Sequence, residues 1–366
     1  MADESANTRG ADRIDGDRLA ALARTVFGAL GGAMTAAMIH VGDRLGLYRA
    51  LAAVDAFDSH GLAAATGLSE RWVREWLHQQ GAAGVLEHRG EGRFALTAEG
   101  AAILSDERHP AFGAGFFSHL PQTMMVAERL PEAFESGIGL PYDAFGAEGA
   151  RGIERGFAPW FRTLLVPVAL PRVEGVVAKL AAGGRVADVG CGTGVALIEM
   201  AKVWPGAEFH GYDISQHALE RARENAKAAG VANVVFHDAR REPVPADGSF
   251  DFVTTFDCLH DMTHPAEMMK AIRAAIRDDG VWLISDIKSH GTYEANVARN
   301  PMAAMMYGTS VLTCMSSALS ERGGAGLGTL GLHGDLMRAL ATDAGFTQIE
   351  PLELDHPVNA FYVARP

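Results

Sequence analysis

The stretch Val-Ala-Asp-Val-Gly-Cys-Gly-Thr-Gly, residues 186–194, decides the fold of this chain. A short apolar and β-branched segment ends in an acid, and three glycines at alternate positions follow. The apolar run at 195–200 then has the character of a helix that begins on the glycine turn. A strand, a glycine turn and a helix in this order form the unit at which doubly wound α/β proteins hold a ligand, at the carboxyl edge of the first strand.

The spacing of the glycines narrows the kind of ligand. A dinucleotide-binding loop needs glycine at its first, third and sixth positions, and the sixth position counted from Gly190 is Val195. The turn therefore departs from the pattern that seats a pyrophosphate on a helix N-terminus.

Three later segments also have the character of strands that end in an acid. Residues 207–213 end in Asp213, nineteen residues after Gly194, and the next two segments end in Asp238 and Asp257. In doubly wound folds, an acid at the end of the second strand accepts hydrogen bonds from a ribose. The sequence therefore predicts that Asp213 accepts from both ribose hydroxyls of an adenine nucleoside.

The order of these motifs resembles that of class I methyltransferases, which use S-adenosylmethionine (SAM). The resemblance implies that Asp188 helps to neutralise the methionyl ammonium and that Asp238 accepts from the adenine amino group. It also implies an α/β fold with a Rossmann-like, seven-stranded and mostly parallel sheet, closed by a terminal antiparallel hairpin. The residues expected to bind SAM are Asp188, Gly190, Cys191, Gly192, Thr193, Gly194, Asp213, Ile214, Asp238, Ala239, Asp257 and Leu259.

Length and composition fit an enzyme of more than one domain. The chain has 366 residues, of which 48% are hydrophobic, and a formal net charge of −13. This charge argues against nucleic acid and against an anionic membrane surface as partners. The three cysteines show no metal or disulfide spacing, so we expect a cytoplasmic protein. We also expect no signal peptide, no uncharged segment as long as a transmembrane helix, and a disordered tail over residues 1–17.

Residues 18–105 are expected to form an N-terminal domain. An apolar lead-in at 19–51 predicts one or two largely buried helices, with a possible break at Gly31-Gly32. Two helices, a strand, a turn and a second strand follow, and Thr97 is placed to cap a last helix. This order is typical of a winged helix. The whole chain from residue 18 resembles mycobacterial-type small-molecule methyltransferases and, more distantly, plant and bacterial O-methyltransferases, in which such a domain builds a homodimer.

A winged helix also raises the possibility of DNA binding. Between Ala56 and Leu104 there are four arginines, no lysine and six carboxylates. A domain that reads a DNA groove normally shows a basic stripe with phosphate contacts. We therefore favour subunit contacts over DNA contacts, and a winged-helix regulator that senses SAM or a metabolite stays a second interpretation.

The remaining segments surround the expected SAM site. Residues 106–180 are expected to be a helical linker that contributes to a substrate pocket, and residues 181–366 the SAM-binding domain. Within it, the Met-rich and Gly-rich insertion 287–331 stands where relatives carry a substrate lid.

The candidate catalytic residue is His260. In the O-methyltransferases that this chain resembles, a His just after the fourth strand takes the proton of the acceptor, and a carboxylate after the fifth strand orients it. His260 and Asp286 match those positions, whereas Met262 replaces the family's Trp. A neutral imidazole is suited to removing a proton near pH 7, but a structural role for this His weighs about equally.

The sequence therefore predicts a methyltransferase for a small, largely apolar metabolite, with O-methylation favoured. The alternative enzyme is a metal-assisted C-methyltransferase that acts on a 2-oxo acid. Its candidate ligands are His119, His260, Asp261, His264 and His290, although no pair has the spacing of a helical metal motif. We expect no bound metal.

Overall fold

The computed structural model describes residues 14–366 and divides the chain into two compact units, one ending at Ala101 and the other running from Ala102 to Pro366. Most of the tail expected at 1–17 lies outside the described residues. The Asp15 carboxylate caps the first helix by accepting from the backbone N–H of Asp17 at 2.9 Å. The last two residues of the expected tail, Gly16 and Asp17, are therefore helical.

The first unit contains the helices and the small hairpin of a winged helix. Asp58 caps the third helix through the N–H of Gly61, at 2.7 Å. Thr97 accepts from the N–H of Gly100 at 3.0 Å and is the cap that the sequence predicts. The elements are α1 Gly16–Arg44, α2 Leu47–Ala52, α3 Ser59–Thr66, α4 Glu70–Ala82, β1 Glu87–His88, β2 Phe94–Ala95 and α5 Ala98–Leu104, the last of which crosses the boundary between the units.

Helix α1 differs from the expected buried and broken helices. It continues through Gly31-Gly32, and most of its length is exposed in the single chain. Residues 25–42 carry no Asp, Glu, Lys or Arg, so the expectation that no such segment exists was wrong. Among the described residues, α1 is the one helix long and apolar enough to cross a membrane by length and composition. Its large apolar side chains that are more than half exposed are Leu19, Leu22, Val26, Phe27, Leu30 and Met34.

Only the C-terminal third of α1 packs within the unit. The Trp76 indole donates to the carbonyl of Met38 at 2.9 Å, and a Cβ on Gly42 would lie 2.4 Å from the Trp76 ring and 2.9 Å from that of Tyr48. Glycine at this position therefore allows α1 and α4 to approach each other closely.

The second unit is built on a seven-stranded sheet. Its spatial order is β5-β4-β3-β6-β7-β9-β8, with β9 antiparallel to both of its neighbours and the other pairs parallel. This confirms the predicted fold class and the terminal hairpin. The strands are β3 Arg185–Val189, β4 Glu208–Asp213, β5 Val234–Asp238, β6 Phe250–Phe256, β7 Ile276–Ile287, β8 Gln348–Pro351 and β9 Asn359–Arg365.

Alternate residues of the central strands enter two separate hydrophobic cores. Val186 and Phe252 pack into one core, and Ala187 and Trp282 pack into the other. Central parallel strands are buried on both faces, which explains why neighbouring residues such as Val186 and Ala187 are both apolar and buried. Asp188 stands next to the end of β3, at the edge of the sheet.

Helices cover both faces of the sheet and form the linker and the insertion. Residues 106–180 contain several helices, most of them short. The helices are α6 Ala114–Ser118, α7 Leu120–Val126, α8 Leu130–Ser136, α9 Gly146–Trp160, α10 Val176–Ala181, α11 Val195–Val203, α12 Gln216–Ala229, α13 Pro265–Ala275, α14 Tyr293–Arg299, α15 Ala303–Thr309, α16 Met315–Ala318 and α17 Gly334–Asp343. Wider π-helical turns occur at Phe161–Ala169 and at Ser310–Cys314.

The close contact at Gly42 gives a stability prediction. Gly42→Ala should lower the free energy of unfolding by about 1–3 kcal/mol, because the added methyl group must displace the Trp76 or Tyr48 ring. Gly31→Ala is the matched control, since nothing lies within 4 Å of its Cβ position, and it should be neutral or stabilising by up to about 1 kcal/mol. Urea denaturation of both variants at one protein concentration measures the difference. Equal midpoints would contradict the packing.

Candidate functional site

The carboxyl ends of the parallel strands β3, β4, β5 and β6 meet at one edge of the sheet. The glycine turn follows β3, and the predicted acids Asp213, Asp238 and Asp257 stand at or just after the ends of the other three strands. The parallel register aligns Asp213 with Asp238. Residues that are far apart in sequence therefore lie together at the edge where ligands bind in this class of sheet.

The three glycines of the turn all have positive φ angles, from 52° to 76°, but they serve different purposes. A Cβ on Gly190 would lie 2.7 Å from the Cys258 side chain, and one on Gly194 would lie 2.5 Å from Phe236. Nothing lies within 4 Å of the Cβ position of Gly192. Gly190 and Gly194 are thus required by packing, whereas Gly192 borders open space.

The two residues between these glycines are buried. Cys191 donates its N–H to the carbonyl of Tyr212 at 3.1 Å, and the carbonyl of Thr193 accepts from the Asn225 amide at 3.2 Å. These bonds tie the turn to β4 and to α12.

Asp213 holds the glycine turn against the end of β4. One carboxylate oxygen accepts from the N–H of Gly192 at 2.7 Å, and the other accepts from the N–H of Ser215 at 2.8 Å. Burial raises the pKa of Asp213. Each oxygen keeps a second lone pair, so the carboxylate can still accept from a ligand. Ile214 follows with an exposed side chain.

The end of β5 is fastened to the end of β4. Ala239 donates its N–H to the carbonyl of Asp213 at 2.9 Å. The Asp238 carboxylate accepts from the N–H of Arg240 at 3.1 Å and lies 3.6 Å from the Arg241 guanidinium. Asp238 therefore stands beside Asp213, as the predicted nucleoside site requires.

Asp188 lies beneath the turn. Its side chain is buried and accepts from the Thr254 hydroxyl at 2.7 Å. Burial raises the pKa of Asp188 to about 7. A nearby cation would favour the ionised form of this carboxyl group.

The loop after β6 contains a strained residue. Asp257 has a φ of 51°, which is uncommon for a residue other than glycine, and its carboxylate accepts from the Asn359 amide. Burial, together with the charge of Asp286, raises the pKa of Asp257 to about 8. Leu259, by contrast, is fully buried, and its side chain packs into one of the two hydrophobic cores.

His260 and Asp286 form a buried pair. The Nδ1 atom of His260 lies 2.6 Å from Oδ1 of Asp286, and the N–H of Ile287 donates to the same oxygen at 2.8 Å. Both side chains are less than 5% exposed. Burial alone would lower the pKa of His260, but the charges of Asp286 and Cys314 outweigh it and raise that pKa well above its usual value.

Four residues that the sequence did not single out for SAM or catalysis also reach this edge. Burial and the charges of Asp261 and Asp213 raise the pKa of Tyr142 well above its usual value, and burial likewise raises that of Asp261. Asp143 accepts from the N–H of Gln216 at 3.3 Å. The sequence offered no signal for the three that lie on the linker and on the insertion, whereas Asp261, on the loop after β6, was considered only as a candidate metal ligand. The four residues are Tyr142, Asp143, Asp261 and Cys314.

The insertion at 287–331 is fastened to the turn that carries His260. Ala325 donates its N–H to the carbonyl of Thr263 at 2.8 Å, and Gly328 donates its N–H to the carbonyl of His260 at 3.0 Å. The glycine-rich run 323–328 therefore lies along residues 260–263.

The alternative metal site gains no support from this geometry. Over residues 14–366, no group of three or more His, Cys, Asp or Glu side chains is arranged to hold a metal ion. His119, one of the candidate ligands, instead packs against Gly152 in the linker.

Two family models match this chain. Residues 180–334 match a methyltransferase domain, and residues 33–106 match an Rv2258c-like winged helix-turn-helix domain. The chain carries a methyltransferase domain. Both parts of the resemblance predicted from the sequence are thereby confirmed.

Relatives with known roles match only part of this methyltransferase-domain protein. A ubiquinone biosynthesis O-methyltransferase of Ralstonia nicotianae is 37% identical over 108 residues, which are 29% of this chain and 44% of that protein. A protein of the same name from Neisseria meningitidis serogroup A is 33% identical over 135 residues, 36% of this chain and 55% of the relative. The chain thus spans about half the length of these relatives.

Solved structures match nearly the whole chain in fold. Human N-acetylserotonin methyltransferase, determined in complex with SAM, has a TM-score of 0.67 at 16% identity, covering 97% of this chain and 99% of its own. Mitomycin 7-O-methyltransferase has a TM-score of 0.64 at 21% identity, covering 96% of this chain and 100% of its own. These similarities establish the fold of the two-unit chain.

Proposed function

We propose that this protein transfers a methyl group from SAM to an oxygen of a small, largely apolar acceptor. The observation that carries the proposal is the open space at Gly192 beside a carboxylate pair, Asp213 and Asp238, in a methyltransferase domain. The named O-methyltransferases among the relatives and similar structures support oxygen as the acceptor atom.

The residues present fit SAM. Its sulfonium and ammonium groups are cations, and the site concentrates carboxyl groups whose pKa values are raised, namely the buried Asp188 and the half-buried Asp213 and Asp257. A cationic ligand offsets the free-energy cost of ionising these carboxyl groups, because an opposite charge favours the ionised form. Asp213 and Asp238 would hold the ribose and the adenine, and Gly192 would border the ligand. When bound, SAM supplies an electrophilic methyl group on a sulfonium.

An apolar cluster between the linker and the insertion supports an apolar acceptor. Linker residues Leu140 and Phe145 pack with Val311 and Leu312, which belong to the π-helical turn Ser310–Cys314 of the insertion. An apolar enclosure excludes water from the transfer, which for methyl displacement depends mainly on positioning and dehydration. His260 would accept the acceptor's proton in its neutral form, which its raised pKa confines to higher pH, while Asp286 orients the imidazole.

We also propose a cytoplasmic homodimer built by the first unit. The apolar surface of α1 from Leu19 to Met34 is uncovered in the single chain, and a surface of this kind usually marks an interface. On α4, the helix that would enter a DNA groove, Arg71 pairs with Glu75 at 2.6 Å and Arg74 with Glu70 at 2.7 Å. Arginines neutralised in this way are poorly suited to phosphate contacts, which argues against the DNA-binding regulator.

Asp213→Ala should weaken SAM binding about tenfold to a hundredfold, because a charge-assisted hydrogen bond to the ribose is worth about 1.5–3 kcal/mol. Gly192→Val should abolish binding, since its side chain would enter the open space. Asp335→Ala, at an exposed carboxylate on α17, is the control and should bind as the wild type does. Calorimetric titration with SAM measures all three. An unchanged dissociation constant for Asp213→Ala would refute the ribose assignment.

His260→Ala should reduce turnover by about 10²- to 10⁴-fold, the usual contribution of a general base, with little change in SAM affinity. Because Asp286 holds the pKa of His260 above its usual value, activity should be lost as the pH falls through a value above 6.5. Asp286→Asn should move this acid limb to lower pH and reduce turnover less. A chelator should leave the wild type unaffected. Near-normal turnover of His260→Ala would show that this residue is structural.

The dimer proposal is tested by substituting charged residues into the exposed apolar part of α1. Val26→Glu with Leu30→Glu should convert a dimer into a monomer at micromolar concentration, as measured by light scattering, because burying two carboxylates in an interface is costly. Arg24→Glu is the control: position 24 on the same helix already carries a charge, so the variant places no new charge among the exposed apolar side chains. It should stay dimeric. A monomeric wild type would reject the proposal, and wild-type binding to lipid vesicles would assign α1 to a membrane surface.

A further inference from the structure

Two histidines and a glutamate form a hydrogen-bonded series on strands β4 and β5 and the loop after them. Nδ1 of His210 lies 3.1 Å from Nε2 of His237, and Nδ1 of His237 lies 2.7 Å from Oε2 of Glu242. The Tyr212 ring, which the parallel register aligns with His237, is within 15° of parallel to that imidazole, with the ring centroids 4.7 Å apart. Because β5 is the outermost strand of the sheet, this series adds a side-chain link between β5 and its neighbour β4.

The hydrogen bonds of the series limit how many protons it can hold. A carboxylate only accepts, so Nδ1 of His237 donates to Glu242, and Nε2 of neutral His237 accepts from the N–H on Nδ1 of His210. If His237 takes up a proton, its Nε2 donates instead, and Nδ1 of His210 accepts. A second proton would place an N–H on both facing nitrogens. The two rings can therefore stay hydrogen-bonded with one added proton but not with two.

The surroundings of the two rings oppose the second proton. His210 is half-buried, and burial together with the charges of Arg185 and His237 lowers its pKa. Arg185 lies 3.3 Å from the Glu208 carboxylate, which acts on His210 in the opposite direction but less strongly. Among the described residues, the titratable and charged groups that face the series from β3, β4 and the loop after β5 are Arg185, Glu208, Tyr212, Glu242 and Asp247.

The turn after β5 connects this series to the proposed SAM site. Glu242 donates its N–H to the carbonyl of Asp238 at 2.8 Å, and His237 directly precedes Asp238. Asp238 in turn stands opposite Asp213 in the parallel register. The residues that hold the His237 imidazole and the residues proposed to hold the nucleoside therefore belong to the same strand ends. A change in the distance between the ends of β4 and β5 affects both.

We propose that the His210–His237 pair is an acid-sensitive link between β4 and β5, and that a second proton on the pair loosens the end of β5 and weakens SAM binding. This inference rests on the proposed placement of SAM at Asp213 and Asp238. Because His210 takes up a proton less readily in the linked form than in the loosened form, acid favours the loosened form. The stabilisation by the link is therefore fully present above the ordinary histidine pKa of about 6.5 and is lost as the pH falls below it.

Hydrogen exchange of the full chain without SAM, measured by mass spectrometry at pH 7.5 and pH 5.0, tests the link. After division by the intrinsic exchange rate at each pH, the amides of β5 should exchange about tenfold faster at pH 5.0, whereas those of the central strand β3 should change little. One linked proton permits at most about a tenfold change for each pH unit below the ordinary histidine value.

His210→Asn is the decisive variant, because its amide can donate or accept near the position of Nδ1 but cannot become a cation. Its β5 amides should exchange at similar corrected rates at both pH values. His109→Asn, at an exposed histidine outside β4 and β5, is the matched control and should respond to acid as the wild type does. The inference is wrong if β5 of the wild type exchanges equally fast at both pH values, or if His210→Asn responds to acid as strongly as the wild type.

Nuclear magnetic resonance of the histidine rings gives a second measurement that does not depend on how well the variant folds for exchange. The His210 signal, assigned by its absence from His210→Asn, should titrate with an inflection below about 6.5. An inflection at or above that value would contradict the link, because the hydrogen bond would then not oppose the second proton.

Calorimetric titration with SAM at the same two pH values tests the effect on binding. Acid should weaken binding in the wild type, and the loss between pH 7.5 and pH 5.0 should be about threefold to tenfold smaller in His210→Asn. The remaining loss comes from carboxyl groups such as Asp188 and Asp213, which both proteins share. Equal losses would show that the link does not reach the SAM site. The exchange experiment needs no SAM, so failure of SAM binding itself would refute the proposed function separately.

Discussion

The hydrogen bond from the N–H of Gly192 to the Asp213 carboxylate is the interaction on which the site depends. It joins the turn after β3 to the end of β4, and the register of β4 with β5 then brings Asp238 alongside. The N–H points at the carboxylate because Gly192 has a positive φ angle, a conformation that glycine adopts without strain. The backbone conformation of Gly192 therefore determines how the turn after β3 meets β4 and how the Asp213 carboxylate is oriented.

The N-terminal unit shows how a small motif can be retained while its surface changes. Its helices and hairpin follow the order of a winged helix, yet the arginines of α4 are paired with glutamates of the same helix. Fold and binding surface are separate properties, since the first depends on buried residues and the second on exposed ones. The unpaired apolar length of α1 adds a surface that the compact motif itself does not need.

Much of the second unit could be predicted because its signals are local. The run at 186–194 marks β3 and its turn, and acids at strand ends mark the binding edge, since alternation and turn chemistry act over a few residues. The hydrogen bond of Gly328 to the carbonyl of His260 could not be predicted, because it joins segments 68 positions apart through an insertion without a local pattern. The exposure of α1 was missed for a related reason: a helix with apolar residues on all sides has the same composition whether the chain itself or another surface covers it.

The hydrogen bonds of Gly328 and Thr329 have a consequence for how acceptor preference can change. Under the proposed function, the insertion would close over the acceptor, and the same insertion supports the backbone of His260 through Gly328 and the Ser310 hydroxyl through Thr329. Replacing that segment to admit a larger molecule would therefore alter the position of the imidazole at the same time. If the insertion does cover the acceptor, specificity and reactivity are coupled through it, and new acceptors would be gained more readily through side-chain changes on the linker than through exchange of the insertion.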